Sequence, residues 1–518
     1  MAGKVQIAAS GLLTEQLTSN PEFSYFNVFF SKHSNFASDT ISLKPDNEKK
    51  VKTGDYIEFS IPSNNGDILN RMSFSFSIPE NLSEYNTNTQ NTSLVDQFAV
   101  SIFEYIELYL GEQLLDRVTS DDINIYHVTR EASTYALTND CIQGGKFRPV
   151  TEQGNSVPSS ASRMFLTSQY WVNGQFKRTN ERYYGGPSSW NTSQTNNIVF
   201  RNFIVNIPFY FHDRPKNAFP LCSIRYQELK IRVKLREGKE VVFPSNSSKD
   251  IQSVEAEWDY QNDSKTTNFP LPKFNLNLDV TYLDKRERNR MTSNCVDILF
   301  EQNQHERFTM RRGIKSQTYR LNFKNCVKEL YFIAKKKHKD LTSLENNILS
   351  AIYNTNIPSY GGPGLPHRPH PNWNNTFVGS KVFQKPVPCI YMRQKHVTLS
   401  LDGIPILDET IGSHQFLSTC IPNVYHKQAP IENNLTMYSF ALHPDKIEPS
   451  GEINFTMIKD AIIQMTLSSD GSYGLYNIFN ELLDTSPSLI VHIEKEILVI
   501  AKSYNVLRIK DGVGKILF

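Results

Sequence analysis

Between residues 36 and 120 the chain alternates apolar and polar side chains with a period of two, in stretches such as ASDTISL, DYIEFSIP, RMSFSFSIP and YIELYLGEQLLDR, each bounded by Asn, Gly or Lys-rich turns. That period belongs to strands half-buried in a sheet. In the last stretch (105–117), Ile106, Leu108 and Leu110 fall on one face and Tyr105, Glu107 and Tyr109 on the other. Gly111 then supplies the positive backbone dihedral of a hairpin turn. Almost three hundred residues later HVTLSLDGIPILDE (396–409) repeats the design with Val397, Leu399, Leu401 and the turn Asp402-Gly403. Two more echoes follow in the same order. PFYFHD (208–213) is answered by SFALHPD (439–445), and RYQELKIRVKL (225–235) by MIKDAIIQMTL (457–467). His212 and His443 are 231 residues apart, Glu228 and Asp460 are 232 apart. A near-constant offset predicts two copies of one β domain.

The remaining elements follow from the same patterning. NFIVNIPFYFHD and FNLNLDVTYLD continue the strands of the first copy, which closes near residue 283. Ser120 caps a predicted short helix with Asp121 and Asp122 in its first turn, where carboxylates suit the helix dipole. The segment 284–314 is predicted to connect the copies, with the charged run KRERNR (285–290) followed by a helix around VDILFEQNQ. The second copy then opens with VKELYFIA and runs from 315 to 518. Two stretches, about 140–200 and 340–388, lack sustained periodicity and are too long for plain connectors, so they are expected to be elaborated surface loops. Residues 1–35 precede the first clear strand as an arm, in which Phe23, Tyr25, Phe26, Phe29 and Phe30 crowd together and call for a surface to cover.

Composition agrees with an all-β chain of more than one domain. The 518 residues include 32 Phe, 24 Tyr, 26 Pro and 24 Gly, and a domain ordinarily takes about 100 to 200 residues. Lys plus Arg total 55 against 53 Asp plus Glu, a net charge of +2 that provides no general attraction to nucleic acid. The six cysteines are scattered, with no CxxC pair, and read as reduced thiols. The opening MAGKVQIAASGLLTEQL has no continuous apolar core of a signal peptide, and no run of about 18 apolar residues occurs, so folding in a reducing cytoplasm is expected. The sequons at Asn81, Asn191, Asn246 and Asn434 are expected to be unused.

Eight antiparallel strands in a domain of roughly 200 to 250 residues with long loops make a jelly roll. The expected architecture is two tandem eight-stranded antiparallel jelly rolls with long loop insertions and a few short helices. Particular residues carry a resemblance as well: Asn20-Pro21, Phe26 and Asn35-Phe36 near the start; Leu283-Asp284, Glu287, Arg288 and FEQNQ at the junction; Tyr438-Ser439-Phe440-Ala441-Leu442, Pro449-Ser450-Gly451 and Asn454-Phe455 in the second copy; and NVLRIKDGVG at the end. Through them the chain resembles, nearly end to end, the major capsid protein of nucleocytoplasmic large DNA viruses, the double jelly roll of iridoviruses and chloroviruses. It departs from that pattern at Lys32-His33, where the family often has a basic pair, at His443, where it has a basic residue, and in both insertions.

The resemblance implies a structural protein that works through its surfaces. Three chains would make a pseudo-hexagonal capsomer, and capsomers would tile an icosahedral shell in the virion, assembled in the host cytoplasm. The implied partners are neighbouring capsomers, minor capsid and penton proteins and, peripherally, an inner membrane, with no sequence-specific nucleic acid. The arm, with Asn20, Pro21, Phe23, Phe26, Phe29 and Phe30, would serve assembly. Alternatives are a minor capsid component or a carbohydrate-binding jelly roll.

Enzyme chemistry finds no foothold, and neither catalytic residues nor a cofactor is expected. His367 and His370 lie three apart in PHRPHP, but flanking prolines hold the segment extended and no third ligand follows at cupin-like spacing. KKKHKD, from Lys335 through His338 to Lys339, reads first as a solvated charge run, with contact to anionic lipid or DNA as its functional rival. KRERNR reads as a salt-bridged linker because Glu287 interrupts it. No GxSxG, HExxH, P-loop or GxGxxG appears in a supporting context.

Overall fold

The structure, a computed structural model, describes residues 8–9, 11–20, 33–47, 56–79, 92–94, 98–130, 169–172, 175–178, 200–212, 214–236, 242–244, 258–259, 269–270, 273–311, 313–336, 391–392, 394–427, 435–446, 448–467 and 494–518. The chain divides into two units, residues 1–36 and 37–518. Within the first unit, helix α1 (Leu12–Thr18) exposes Leu12 and Leu13 and is followed by Asn20 at φ 53°.

The second unit holds the repeat. Its first eight-stranded set comprises β1 (Phe36–Leu43), β2 (Tyr56–Ile61), β3 (Ile68–Pro79), β4 (Phe103–Leu110), β5 (Gln113–Thr119), β6 (Phe200–Asn206), β7 (Leu229–Leu235) and β8 (Lys273–Leu283). They form two four-stranded sheets in the orders β1-β8-β3-β6 and β2-β7-β4-β5. The second set comprises β9 (Val296–Met310), β10 (Ser316–Leu321), β11 (Cys326–Lys336), β12 (Gln394–Leu401), β13 (Ile404–Leu407), β14 (Thr436–Ser439), β15 (Ala461–Leu467) and β16 (Lys495–Lys510). Its sheets run β9-β16-β11-β14 and β10-β15-β12-β13, the same order advanced by one domain, with short strands Ile453–Asn454 and Val513–Ile516 added to the first. Each set is a jelly roll, so the expected fold is present.

The hairpins that announced the repeat occupy the same place in both copies. Gly111 sits at φ 59°, and Asp402 and Gly403 at 48° and 83°. The Gly111 N–H donates to the Glu228 carbonyl at 2.8 Å, and the Asp402 N–H donates to the Asp460 carbonyl at 2.8 Å. The sequence offset is thus reproduced as one hydrogen bond made twice. Of the paired histidines, His212 is buried and His443 exposed.

Alternation is converted directly into two cores. β7 buries every second residue, Leu229, Ile231, Val233 and Leu235, against an aromatic interior in which Phe74 and Phe103 stack at 5.5 Å and Phe76 and Phe274 lie 4.8 Å apart. The second core is more aliphatic, built from Val397, Leu399, Ile463, Met465, Ile497 and Val499. Each fully buried side chain of this size contributes about 1.5–3 kcal/mol. The cores exchange residues: Ile298, Phe300, Leu507 and Ile509 pack in the first, and Ile125 in the second.

Three expectations are corrected. VDILFEQNQ is strand, not helix, because β9 pairs along its whole length with β16, from Val296 opposite Ile509 to Met310 opposite Lys495. The helix at the junction is the charged run itself, α3 (Lys285–Ser293), whose cap Asp284 accepts from the Glu287 N–H at 2.8 Å. Strand β9 begins at Val296, directly after α3. The short helix α2 (Ser120–Thr129) is capped by Thr119 and not Ser120: the Thr119 hydroxyl accepts from the Asp122 N–H, and the Asp122 carboxylate accepts from the Thr119 N–H at 2.7 Å. Either hydroxyl could cap, and the end of β5 decides which. The insertion 340–388 lies outside the described residues, as does 140–200 except for the hairpin Gln169–Val172 with Gln175–Arg178 and Phe200, where β6 begins.

Candidate functional site

Where the two jelly rolls meet, charged side chains that strand patterning would place in solvent are buried together. Arg130, at the end of α2, lies between three carboxylates of the second jelly roll. Its guanidinium is 3.2 Å from Glu329, 3.7 Å from Glu301 and 3.2 Å from Asp445. Arg214 of the first jelly roll binds Glu301 at 2.6 Å, and Lys328 reaches the same carboxylate at 2.6 Å and the Pro444 carbonyl at 2.7 Å. Glu329 is the hub. Tyr331 donates its hydroxyl proton to it at 3.0 Å, and Lys502 and His426 lie 3.6 and 3.2 Å away. The other His426 nitrogen faces Asp445 at 2.8 Å.

Burial of these charges is tolerated because they face one another. Burial by itself would raise the Glu329 and Glu301 carboxyls, but the adjacent cations hold both below the usual carboxylate range. Asp445 is lowered in the same way, chiefly by His426 and Arg130 acting against burial. Burial and the neighbouring Arg130 push the Lys328 ammonium down to about 8, despite the attraction of Glu301, and push Lys502 down as well. Burial disfavours the His426 imidazolium, yet its hydrogen bonds to Asp445 and Glu329 outweigh that and raise it.

A second line of contacts runs beside the hub. The Lys335 ammonium binds Asp121 at 2.7 Å, and Tyr391 donates to the same carboxylate at 3.1 Å. His305 lies 2.6 Å from Asp122. Asp116 accepts from the Asn303 N–H at 3.1 Å, and burial lifts its carboxyl well above the usual range. A cavity of about 490 Å³ opens along this line, bordered by Tyr210, Asp122, Arg130, Arg214, Asp445 and Lys502.

The arrangement locks first-copy elements to second-copy elements. Among the described residues no cluster of three or more His, Cys, Asp or Glu could hold a metal, and no helix is long and apolar enough to cross a membrane. Cys222, Cys295, Cys326 and Cys420 are free thiols.

Of the residues singled out in the arm, Asn20 is exposed, while Pro21, Phe23, Phe26, Phe29 and Phe30 lie outside the described residues, as do His367, His370, His338 and Lys339. Lys335 corrects the solvated reading of its lysine run. β11 extends to Lys336, and the first turn of α2 supplies the carboxylate that holds Lys335 buried. In KRERNR, Arg288 binds Asp67 at 2.6 Å, whereas Lys285, Arg286 and Arg290 are exposed. Sequence reading missed the seam. Its one visible signal was Lys328-Glu329, a charged pair inside the apolar run VKELYFIA.

Comparison with known proteins agrees with this architecture. Residues 24–284 match the family described as major capsid protein N-terminus, and residues 287–515 match the large eukaryotic DNA virus major capsid protein family. The major capsid protein of Phaeocystis pouchetii virus is 23% identical over 99% of this chain and 98% of its own length. That of Paramecium bursaria Chlorella virus 1 is 24% identical over 99% of both chains. Among solved structures, PBCV-1 VP54 superposes with a TM-score of 0.60 at 19% identity, covering 96% of this chain and 100% of its own. The Faustovirus major capsid protein gives 0.56 at 12% identity, covering 97% and 94%. With both halves matched and the double jelly roll in place, the chain belongs to the major capsid proteins of large eukaryotic DNA viruses and is a building block of a viral capsid.

Proposed function

We propose that three copies of this chain associate into a pseudo-hexagonal capsomer that tiles an icosahedral shell. The observation that carries this reading is the duplication itself: two jelly rolls of identical strand order sit side by side in one unit. Three such chains present six similar domains around one axis, and closed symmetric assembly is the rule for homo-oligomers. The domains are taken as residues 36–283 and 296–518, with residues 1–35 as the arm. Minor capsid and penton proteins and, peripherally, an inner membrane are the further partners proposed, with assembly in the host cytoplasm. No catalytic role is assigned.

Light scattering of the purified protein is expected to give about three times 59.4 kDa, since an obligate interface of this kind buries more than about 2,000 Å². A folded monomer at micromolar concentration would refute the capsomer. For the arm, deletion of residues 2–18 is expected to leave trimer formation intact and to impair shell assembly seen by electron microscopy. Shells formed as well as by the intact chain would remove the arm's role.

A further inference from the structure

Most polar atoms of the seam satisfy one another, but three on residues bordering its cavity do not. The Tyr210 ring packs on Phe211 and Phe300, with centroids 5.1 and 5.2 Å away, and its hydroxyl is buried without a hydrogen bond among the described residues. The Lys502 ammonium, on a side chain only 7% exposed, lies 5.0 Å from the Tyr331 ring. Its nearest carboxylate oxygen among the described residues, on Glu329, is 3.6 Å away, beyond hydrogen-bond distance. Asp122 engages the Thr119 N–H, the Thr119 hydroxyl and His305 through Oδ2 alone, and its Oδ1 is buried without a partner. Buried polar groups are ordinarily hydrogen-bonded, so three exceptions around one cavity call for a partner.

Room and charge suit a small anion. The cavity's volume, about 490 Å³, lies within the range of small-molecule sites and far exceeds the roughly 30 Å³ of one water. Five cations border it, Arg71, Arg130, Arg214, Lys427 and Lys502, against the four carboxyl groups of Asp116, Asp122, Glu301 and Asp445. Glu301 is already bound by Arg214 and Asp445 by His426, while burial lifts the Asp116 carboxyl. Arg71 and Lys427 are exposed, so the cavity reaches solvent at that border. Two of the unmet atoms, on Lys502 and Tyr210, are donors, and the third, Asp122 Oδ1, is an acceptor. An oxyanion that keeps one proton matches that set: its bare oxygens accept from the two donors and its O–H donates to the carboxylate. A phosphate group carries such a proton. Sulfate, fully ionised, would set a bare oxygen against Asp122.

We propose that the seam cavity binds a phosphate group, as the free ion or a small phosphomonoester, with Lys502 and Tyr210 donating to its oxygens and Asp122 accepting from its O–H. Charge-assisted hydrogen bonds of this kind are the strong ones, and the buried setting keeps water from competing for them. Asp122 and Tyr210 belong to the first jelly roll and Lys502 to the second, so the bound group ties the copies together. It therefore stabilises the folded chain by mass action.

Calorimetric titration of the purified full chain tests it, with inorganic phosphate, glycerol phosphate and sulfate at about pH 6.5, where a phosphate group keeps part of its second proton. A single site for phosphate is expected, and whichever of the free ion and the ester binds more tightly names the form of the ligand. Sulfate is expected to bind more weakly, and Tyr210→Phe to weaken phosphate, each by about tenfold, as befits one hydrogen bond to a charged group. The hydroxyl that Tyr210→Phe removes has no partner in the fold, so without phosphate this variant is expected to melt at or above the temperature of the intact chain. Its loss of binding is then not a loss of folding. Lys502→Met is expected to lose the phosphate site as well. No binding at roughly 10 mM phosphate, sulfate bound as tightly as phosphate, or phosphate bound as tightly by Tyr210→Phe would overturn the assignment and leave a cavity that holds only water.

Discussion

Replacing Glu329 with glutamine keeps the size of the side chain and removes one charge from the centre of the seam. Four cations, Arg130, Arg214, Lys328 and Lys502, then face two carboxylates, Glu301 and Asp445, instead of three. Glu329 is fully buried, so solvent does not screen the loss. Removing one partner from a buried ionic cluster costs about 3–5 kcal/mol. The protein has two escapes, the His426 imidazolium, which loses one of the bonds that raise it, and Lys328. Burial and Arg130 already push Lys328 down to about 8, so shedding its proton at pH 7 costs only on the order of 1 kcal/mol, and the lower end of the range, about 3 kcal/mol, is expected. The Lys328 escape leaves a signature in pH. With Glu329 gone the folded Lys328 falls further, while its unfolded value stays near 10.4. Between the new, lower value and 8 the unfolded variant therefore binds more protons than the folded one, so the variant gains stability with pH while the intact chain does not. Urea unfolding at fixed protein concentration, followed by circular dichroism at pH 6 and pH 8, is expected to show a gap that narrows by on the order of 1 kcal/mol. A loss under about 1 kcal/mol, or a gap that does not change with pH, would refute the claim that Glu329 neutralises the seam.

Two further perturbations probe the same architecture. Five seam carboxylates, Asp121, Asp122, Glu301, Glu329 and Asp445, have lowered folded values, so the stability they contribute is present above pH 4.5 and is lost as pH falls through those values. Asp116 and Glu306, raised by burial, act in the opposite sense but are two against five, so the melting temperature is expected to drop steadily from pH 5 to pH 3; a flat profile would contradict the network. Gly412→Ala is expected to destabilise by more than about 3 kcal/mol, because the new methyl would lie 1.8 Å from the Val397 carbonyl oxygen, whereas Gly403→Ala, in open space at φ 83°, should cost about 1–2 kcal/mol in thermal melts.

Local physics alone determined the strands and their doubling. A strand such as β7 must put Leu229, Ile231, Val233 and Leu235 on one face whatever surrounds it, so its core was legible from alternation, and the turns at Gly111 and Asp402-Gly403 were legible from backbone stereochemistry. Identical local solutions at a constant offset then implied identical domains. Where alternation fades, the reading failed: β9 is half-buried through most of its length, because its polar residues Gln302, Asn303 and His305 face the first jelly roll, and so it showed no clear period. The seam was out of reach for a deeper reason. A charge is buried only if its partners are present, and those partners are contributed by distant strands: Arg130 meets Glu329 across 199 residues, and Lys335 meets Asp121 across 214. Nothing in the residues flanking Lys335 or Arg130 distinguishes them from solvated charges. Only the packing of one jelly roll on the other removes water from them, and that removal is what turns ordinary surface residues into the joint between the two domains.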